Sequence, residues 1–238
     1  AFNYYNNYIT SIEFRECDFK NVFTFDDLND FIQLRSLSFI DCEWINFQFF
    51  QPLLNTPSLL KLKSLKLIGQ LTEYELLIKK FGSYLEYLVL GLNGGISGEA
   101  YKKLIIHCNQ IKFLQLMHIS YDDYSQLYRM ITSNKEHLKY LSVSVSMCMG
   151  AKFLCELALI LPNSLEYLNL QVMVDNESLK KFLINVRHVE LNSLLYRNLM
   201  IENIDLVFSI LKDFVIQNEI RRFAYSIDKY FNRDNLNI

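Results

Sequence analysis

The chain has 238 residues, 51% of them hydrophobic and including 18 Phe and 15 Tyr, so it is long enough to bury a sizeable core and too apolar for disorder. Its 24 basic and 26 acidic residues give a formal net charge of −2 and are spread along the chain, without the basic stripe of a nucleic-acid binder. Seven Gly and three Pro are few for a sandwich or barrel with many tight turns, and Lys152 and Glu156 interrupt the best apolar run, Val143 to Leu161, so neither nucleic acid nor membrane is an expected partner. The cysteines, Cys17, Cys42, Cys108, Cys148 and Cys155, are odd in number and irregular in spacing. That argues against a disulfide framework and for a reducing compartment, cytoplasmic or nuclear. The chain opens at Ala1 without a signal-peptide profile and reads as a piece of a longer protein.

Taken in chain order, one pattern recurs, L-x-x-L-x-L with any large apolar residue at the L positions. It is carried by Ile9, Ile12 and Phe14, then Leu34, Leu37 and Phe39, then Leu62, Leu65 and Leu67. Leu85, Leu88 and Leu90 follow, then Ile111, Leu114 and Leu116, then Leu138, Leu141 and Val143, then Leu165, Leu168 and Leu170. Val186, Val189 and Leu191, and finally Ile220, Phe223 and Tyr225, make the eighth and ninth copies. The starts are separated by 25, 28, 23, 26, 27, 27, 21 and 34 residues, mostly within the roughly 20–29 residue period of leucine-rich repeats. Cys17, Cys42 and Asn93 supply the small polar residue or thiol expected to turn inward after the strand, whereas Ile119 and Met173 make later copies degenerate.

Alternation around the second and third L predicts a short strand with one buried face. The intervening segment must then return along the outside, and in most copies it carries a helix start signal. Thr24 with Asp27, Thr72 with Glu75, and Ser120 with Asp123 match the capping box, Gly82 suits a helix stop, and Ile204, Val207, Phe208, Leu211, Phe214 and Val215 follow helical spacing from about Asn203 to Ile216. The expected fold is therefore α/β: a single leucine-rich-repeat domain over residues 1–238, with a parallel sheet on the concave side of a horseshoe and helices on the convex side.

The segments Leu34-Arg-Ser-Leu-Ser-Phe-Ile-Asp-Cys42, Ser83-Tyr-Leu-Glu-Tyr-Leu-Val-Leu90, His137-Leu-Lys-Tyr-Leu-Ser-Val143 and Ser164-Leu-Glu-Tyr-Leu-Asn-Leu170 resemble the leucine-rich-repeat region of fungal F-box-like proteins, of the ribonuclease-inhibitor-like superfamily. The resemblance implies a substrate-recognition module of a Skp1–cullin–F-box ubiquitin ligase, in which an F-box docks on Skp1 and the repeats hold a protein substrate. Such an F-box would lie upstream of Ala1, so any Skp1 contact is expected only through that segment. A leucine-rich scaffold or inhibitor without a ubiquitin role is the alternative.

The residue just before the central L should form a column on the open face: Ser11, Ser36, Ser64, Tyr87, Phe113, Tyr140, Tyr167, His188 and Arg222. From Tyr87 to Arg222 this column is the candidate partner-binding surface, because a rigid ring with a polar tip is a favoured anchor for proteins. The competing reading is a cross-strand ladder that only stabilises the sheet. Arg35, Lys63, Lys112, Lys139, Arg187 and Arg221, with Glu86 and Glu166 between them, read as a solvated edge or as a mild basic rim for an acidic ligand. Gly91, Gly94, Gly95 and Gly98 lack the spacing of a phosphate loop and read as a turn. His107 and Cys108 are adjacent and diverge on a helix, and no histidine pair has metal-ligand spacing. No enzyme, cofactor or metal is expected.

Overall fold

The computed structural model describes residues 8–20, 33–45, 47–55, 60–70, 74–93, 95–145, 150–198 and 204–227. These form nine strands and seven α-helices, alternating from the second strand onward, and the chain divides into two compact units, residues 1–118 and 119–238.

In the first unit the elements run β1 (Ser11–Arg15), β2 (Ser36–Ile40), α1 (Phe47–Asn55), β3 (Ser64–Gly69), α2 (Glu75–Phe81), β4 (Tyr87–Leu92), α3 (Gly98–His107) and β5 (Phe113–Ile119). Strands adjacent in sequence pair with one another, always in parallel, the pairing a helical crossover permits. The register aligns Leu37, Leu65, Leu88 and Leu114, and all four are completely buried. In the first two copies phenylalanine replaces the third leucine. Phe14 stacks on Phe39 at 5.2 Å, and Phe39 meets Phe49 and Phe50 of α1 edge-on at 5.8 and 5.7 Å. This end of the core is therefore aromatic, and edge-to-face contact is the geometry that ring quadrupoles favour.

The second unit runs α4 (Tyr124–Ser133), β6 (Tyr140–Val145), α5 (Gly150–Ile160), β7 (Tyr167–Val172), α6 (Asn176–Asn185), β8 (Ser193–Asn198), α7 (Ile204–Gln217) and β9 (Arg222–Ile227). Strands β6 to β9 are again parallel in chain order, with Leu141 and Leu168 paired and wholly buried. The exit from α4 is built on Asn134, which is fully buried. Its Nδ2 donates to the Met130 carbonyl at 3.1 Å, and its own carbonyl accepts the amides of His137 and Leu138, both at 2.9 Å.

The eighth repeat differs from the sequence expectation. Val186–His188 form a single 3-10 turn after α6, and β8 begins only at Ser193. Leu194 and Tyr196 pair with Leu168 and Leu170, so the repeat is Leu191, Leu194 and Tyr196. The intervals around it become 26 and 29 residues in place of 21 and 34, and the spacing is regular to the end. Backbone bonding marks the same frame. The carbonyl just after the first L accepts two amides from the next repeat: Arg35 from Lys63 and Ser64 at 2.8 and 2.9 Å, Glu86 from Lys112 and Phe113 at 2.8 and 3.0 Å, and Glu166 from Asn192 and Ser193 at 2.8 and 3.0 Å.

Strand ends repeat as well. Glu16, Asp41, Gly69 and His118 occupy equivalent places after the third L, and all have left-handed φ of 53°, 50°, 107° and 58°. Cys17 and Cys42 follow this kink, each thiol donating at 3.4 Å to the carbonyl two residues back, and Cys42 is buried as expected. Asn93 is instead exposed. Cys17, Cys42, Cys108 and Cys155 form no disulfide among the described residues, and Cys148 lies outside them.

Helix ends depart from the capping boxes. Thr24, Asp27 and Thr72 lie outside the described residues, and α2 starts at Glu75 with no side-chain cap. Ser120 does reach Asp123, but hydroxyl to carboxylate at 2.6 Å rather than onto a backbone amide. Among the described residues, side-chain caps are supplied by Ser97, accepting from the Ala100 amide at 3.1 Å, and Asp175, accepting from the Ser178 amide at 2.8 Å. Gly82 ends α2 without a left-handed turn, with φ of −51°. A Cβ there would stand 2.8 Å from that of His107, so glycine admits α3 rather than reversing the chain.

Candidate partner-binding face

The strands bury the second and third L side chains of most repeats, and the residues of the predicted column stand at alternate positions, with Tyr87 and Arg222 exposed and Phe113, Tyr140 and Tyr167 partly so. In the first unit Ser64, Tyr87 and Phe113 stand in register. Tyr87 is 48% exposed, and its ring stacks on Phe113 at 5.8 Å with the planes 29° apart. In the second unit Tyr140 and Tyr167 are neighbours in register, both half-buried, with centroids 4.1 Å apart and planes 8° from parallel. Burial, and next the hydrogen bond with the Tyr167 hydroxyl, push the Tyr140 phenol well above the ordinary tyrosine range.

The column then continues through Ser193, which is buried, paired with Tyr167 on one side and Arg222 on the other. Arg222 is where the repeat predicts it, and exposed. His188 is not in the column. It sits on the 3-10 turn, its ring nitrogens 2.9 Å from the Asn185 carbonyl and 3.1 Å from that of Leu161, where it ties the end of α6 to the end of α5. The signal for Ser193 was present in the sequence as Leu191-x-x-Leu194-x-Tyr196, one step beyond a frame that Val186 and Val189 imitate.

The row beside the column is an alternating ion-pair rail. Glu86, its side chain 19% exposed, meets Lys63 at 2.7 Å and Lys112 at 2.8 Å, and these two ammoniums, Lys112 foremost, hold its carboxyl below the usual range. Lys139 meets Glu166 at 2.9 Å. Arg187, displaced with His188, instead donates to the Gln217 side-chain amide oxygen Oε1 at 3.1 Å, and Asn192 takes its place in the row. Charge on the open face is nevertheless unbalanced. Counting the outward strand positions and the row beside the column, in the first unit Arg15, Arg35, Lys63, Lys66 and Lys112 oppose Glu13 and Glu86, a net of +3, with exposed Glu16 and Asp41 just past the strand ends. In the second, Lys139, Arg197, Arg221 and Arg222 oppose Glu166, again a net of +3. The whole chain carries −2, so the remainder is acidic.

Gly94 lies outside the described residues, and Gly91, Gly95 and Gly98 fall from the end region of β4 to the start of α3. Gly91, next to last in β4, lies against the Met117 thioether, which a Cβ would approach to 2.9 Å, and Gly95 turns at φ of 85° before Ser97 caps α3. Burial pushes the Cys108 thiol up to about 12, the opposite of nucleophile activation. Among the described residues no group of three His, Cys, Asp or Glu could hold a metal ion, and no helix is long and apolar enough to cross a membrane. Comparison with protein-family models and with curated proteins finds no match to the chain.

Proposed function

We propose that the chain is a leucine-rich-repeat module that binds a protein partner through the open face of its strands, as the substrate-holding part of a Skp1–cullin–F-box ubiquitin ligase. The parallel strand–helix repeats, spaced 23 to 29 residues once the eighth copy is re-framed, support the repeat assignment. One observation carries the binding role. The open face of each unit presents a stacked, partly exposed pair of rings, Tyr87 with Phe113 in the first and Tyr140 with Tyr167 in the second, pre-ordered to bury area against a partner at little cost in side-chain entropy. In this reading the chain does no chemistry and needs no cofactor. The ubiquitin-ligase role rests on the sequence resemblance.

Affinity purification of the full-length protein from its own cells tests both halves. The expected result is a partner that co-purifies with the wild type and is lost from the Tyr140→Ser/Tyr167→Ser double variant, together with Skp1, which both forms retain. A partner recovered without Skp1 replaces the ligase role with that of a scaffold or inhibitor. Equal recovery from the folded double variant returns the rings to a structural ladder.

A further inference from the structure

We propose that the partner taken by the open face is an acidic protein segment whose carboxylates settle on the basic side chains around Tyr87 and Phe113; this rests on the protein-binding reading above. The face of the first unit is basic in a chain that is acidic overall. Its two carboxylates are already committed: Glu13 pairs with Arg15 at 2.9 Å, and Glu86 is shared between Lys63 and Lys112. One carboxylate between two ammoniums leaves a net positive charge beside the ring pair. Among the described residues, Arg35 and Lys66 form no ion pair at all; Lys66 acts on Glu13 only at longer range. Lys66 lies diagonal to Tyr87, one strand over and two residues along, a separation that long side chains span. A carboxylate arriving there would gain a cation without displacing an internal partner, while its neighbours cover the Tyr87 ring. Complementary charge of this kind raises the association rate and selects the partner.

A polypeptide suits the face better than a polynucleotide. Glu13 and Glu86 interrupt the basic side chains, so evenly spaced phosphates would meet two carboxylates, whereas a peptide can set neutral residues opposite them.

Short random peptides panned against the whole chain, with mixed-sequence single-stranded RNA as a competing probe, test the inference. The expected result is retained peptides rich in Asp and Glu. Their binding should be lost in Tyr87→Ser/Phe113→Ser, fall about tenfold in Lys66→Glu, and collapse near 1 M salt, where the screening length is about 3 Å. If the charge reversal disturbs folding, Lys66→Gln should still weaken binding about threefold. Retained peptides that depend on the rings but are not acidic, and that ignore Lys66, overturn the acidic segment and leave the protein-binding reading intact. Retention of nothing, or retention indifferent to the rings, overturns both. RNA held more tightly than the acidic peptides overturns this inference in favour of nucleic acid.

Discussion

Tyr140 and Tyr167 lie in register on neighbouring strands with their rings 4.1 Å apart and 8° from parallel. Each ring therefore shields the other, and the raised titration of the Tyr140 phenol, due first to burial and then to the Tyr167 hydroxyl, reports that shielding. Tyr167→Ser should bring Tyr140 back toward about 10, the ordinary tyrosine value. The loss of the stacked pair should cost about 0.5–1.5 kcal/mol beyond the area exposed. Tyrosine labelled at Cζ, titrated by NMR in wild type and variant and assigned with Tyr140→Phe, gives the shift directly. An unchanged Tyr140 titration would mean that its environment does not depend on the stack.

Tyr196 fills the third-L position of the eighth repeat, almost wholly buried and stacked on Tyr225 at 6.1 Å. Its hydroxyl has no hydrogen-bond partner among the described residues, and burial pushes its titration well up. Tyr196→Phe removes an unsatisfied buried group and should stabilise the protein by about 1 kcal/mol. The pH dependence has a definite sign. Above about 10 the unfolded phenol releases its proton while the folded one keeps it, so the folded state binds more protons and stability falls as pH rises. Urea midpoints at neutral and alkaline pH should show that fall, reduced in Tyr196→Phe.

Much of the fold is legible in the sequence because the repeat repeats. Leu37, Leu65, Leu88 and Leu114 are identical in role, and the period fixes their parallel register without knowledge of any contact. The frame is ambiguous in the sequence where the repeat is degenerate. Val186 and Val189 are themselves buried, which makes Val186-x-x-Val189-x-Leu191 as good an apolar pattern as the true copy. The strand register and the double-amide bonding of the Glu166 carbonyl to Asn192 and Ser193 discriminate between them, and sequence shows neither. The ion-pair rail was hidden for a similar reason: Lys63, Glu86 and Lys112 are 23 and 26 residues apart, and their alternation has meaning only across strands.

Two substitutions probe packing from opposite directions. Leu114→Ala empties a fully buried position and should cost about 2–5 kcal/mol. Gly150→Ala adds only a methyl, yet its Cβ would collide with the Met173 carbonyl and lie 2.6 Å from Val174 Cγ1, at the start of α5. Because backbone cannot rotate aside as a side chain can, this change should cost about 1–3 kcal/mol despite the helix preference for alanine. Denaturant titration of both variants gives the values. A neutral Gly150→Ala would show that α5 is free to retreat from the Met173 backbone.

Asp175 caps α6 with both carboxylate oxygens, one accepting from the Ser178 amide and the other from its hydroxyl, each at 2.8 Å. Those bonds, the amide first, hold its carboxyl below the usual aspartate range. The favourable field of the helix N-terminus acts in the same direction. Asp175→Ala should cost about 1 kcal/mol at neutral pH, the usual loss for a capping side chain. Since the folded carboxyl is the stronger acid, its contribution is complete above about 3.9, the unfolded value, and disappears as pH falls through the lower folded value. The difference in stability between wild type and Asp175→Ala should thus be constant from neutral pH down to about 5 and shrink below about 4. Asp175→Asn keeps one acceptor for the Ser178 amide without the charge, so it should fall between the two at neutral pH and meet the wild type in acid. Thermal melts of the three proteins across that range measure both effects. A gap that persists undiminished below the titration of the folded carboxyl would show that Asp175 stabilises α6 through packing rather than through its ionised cap.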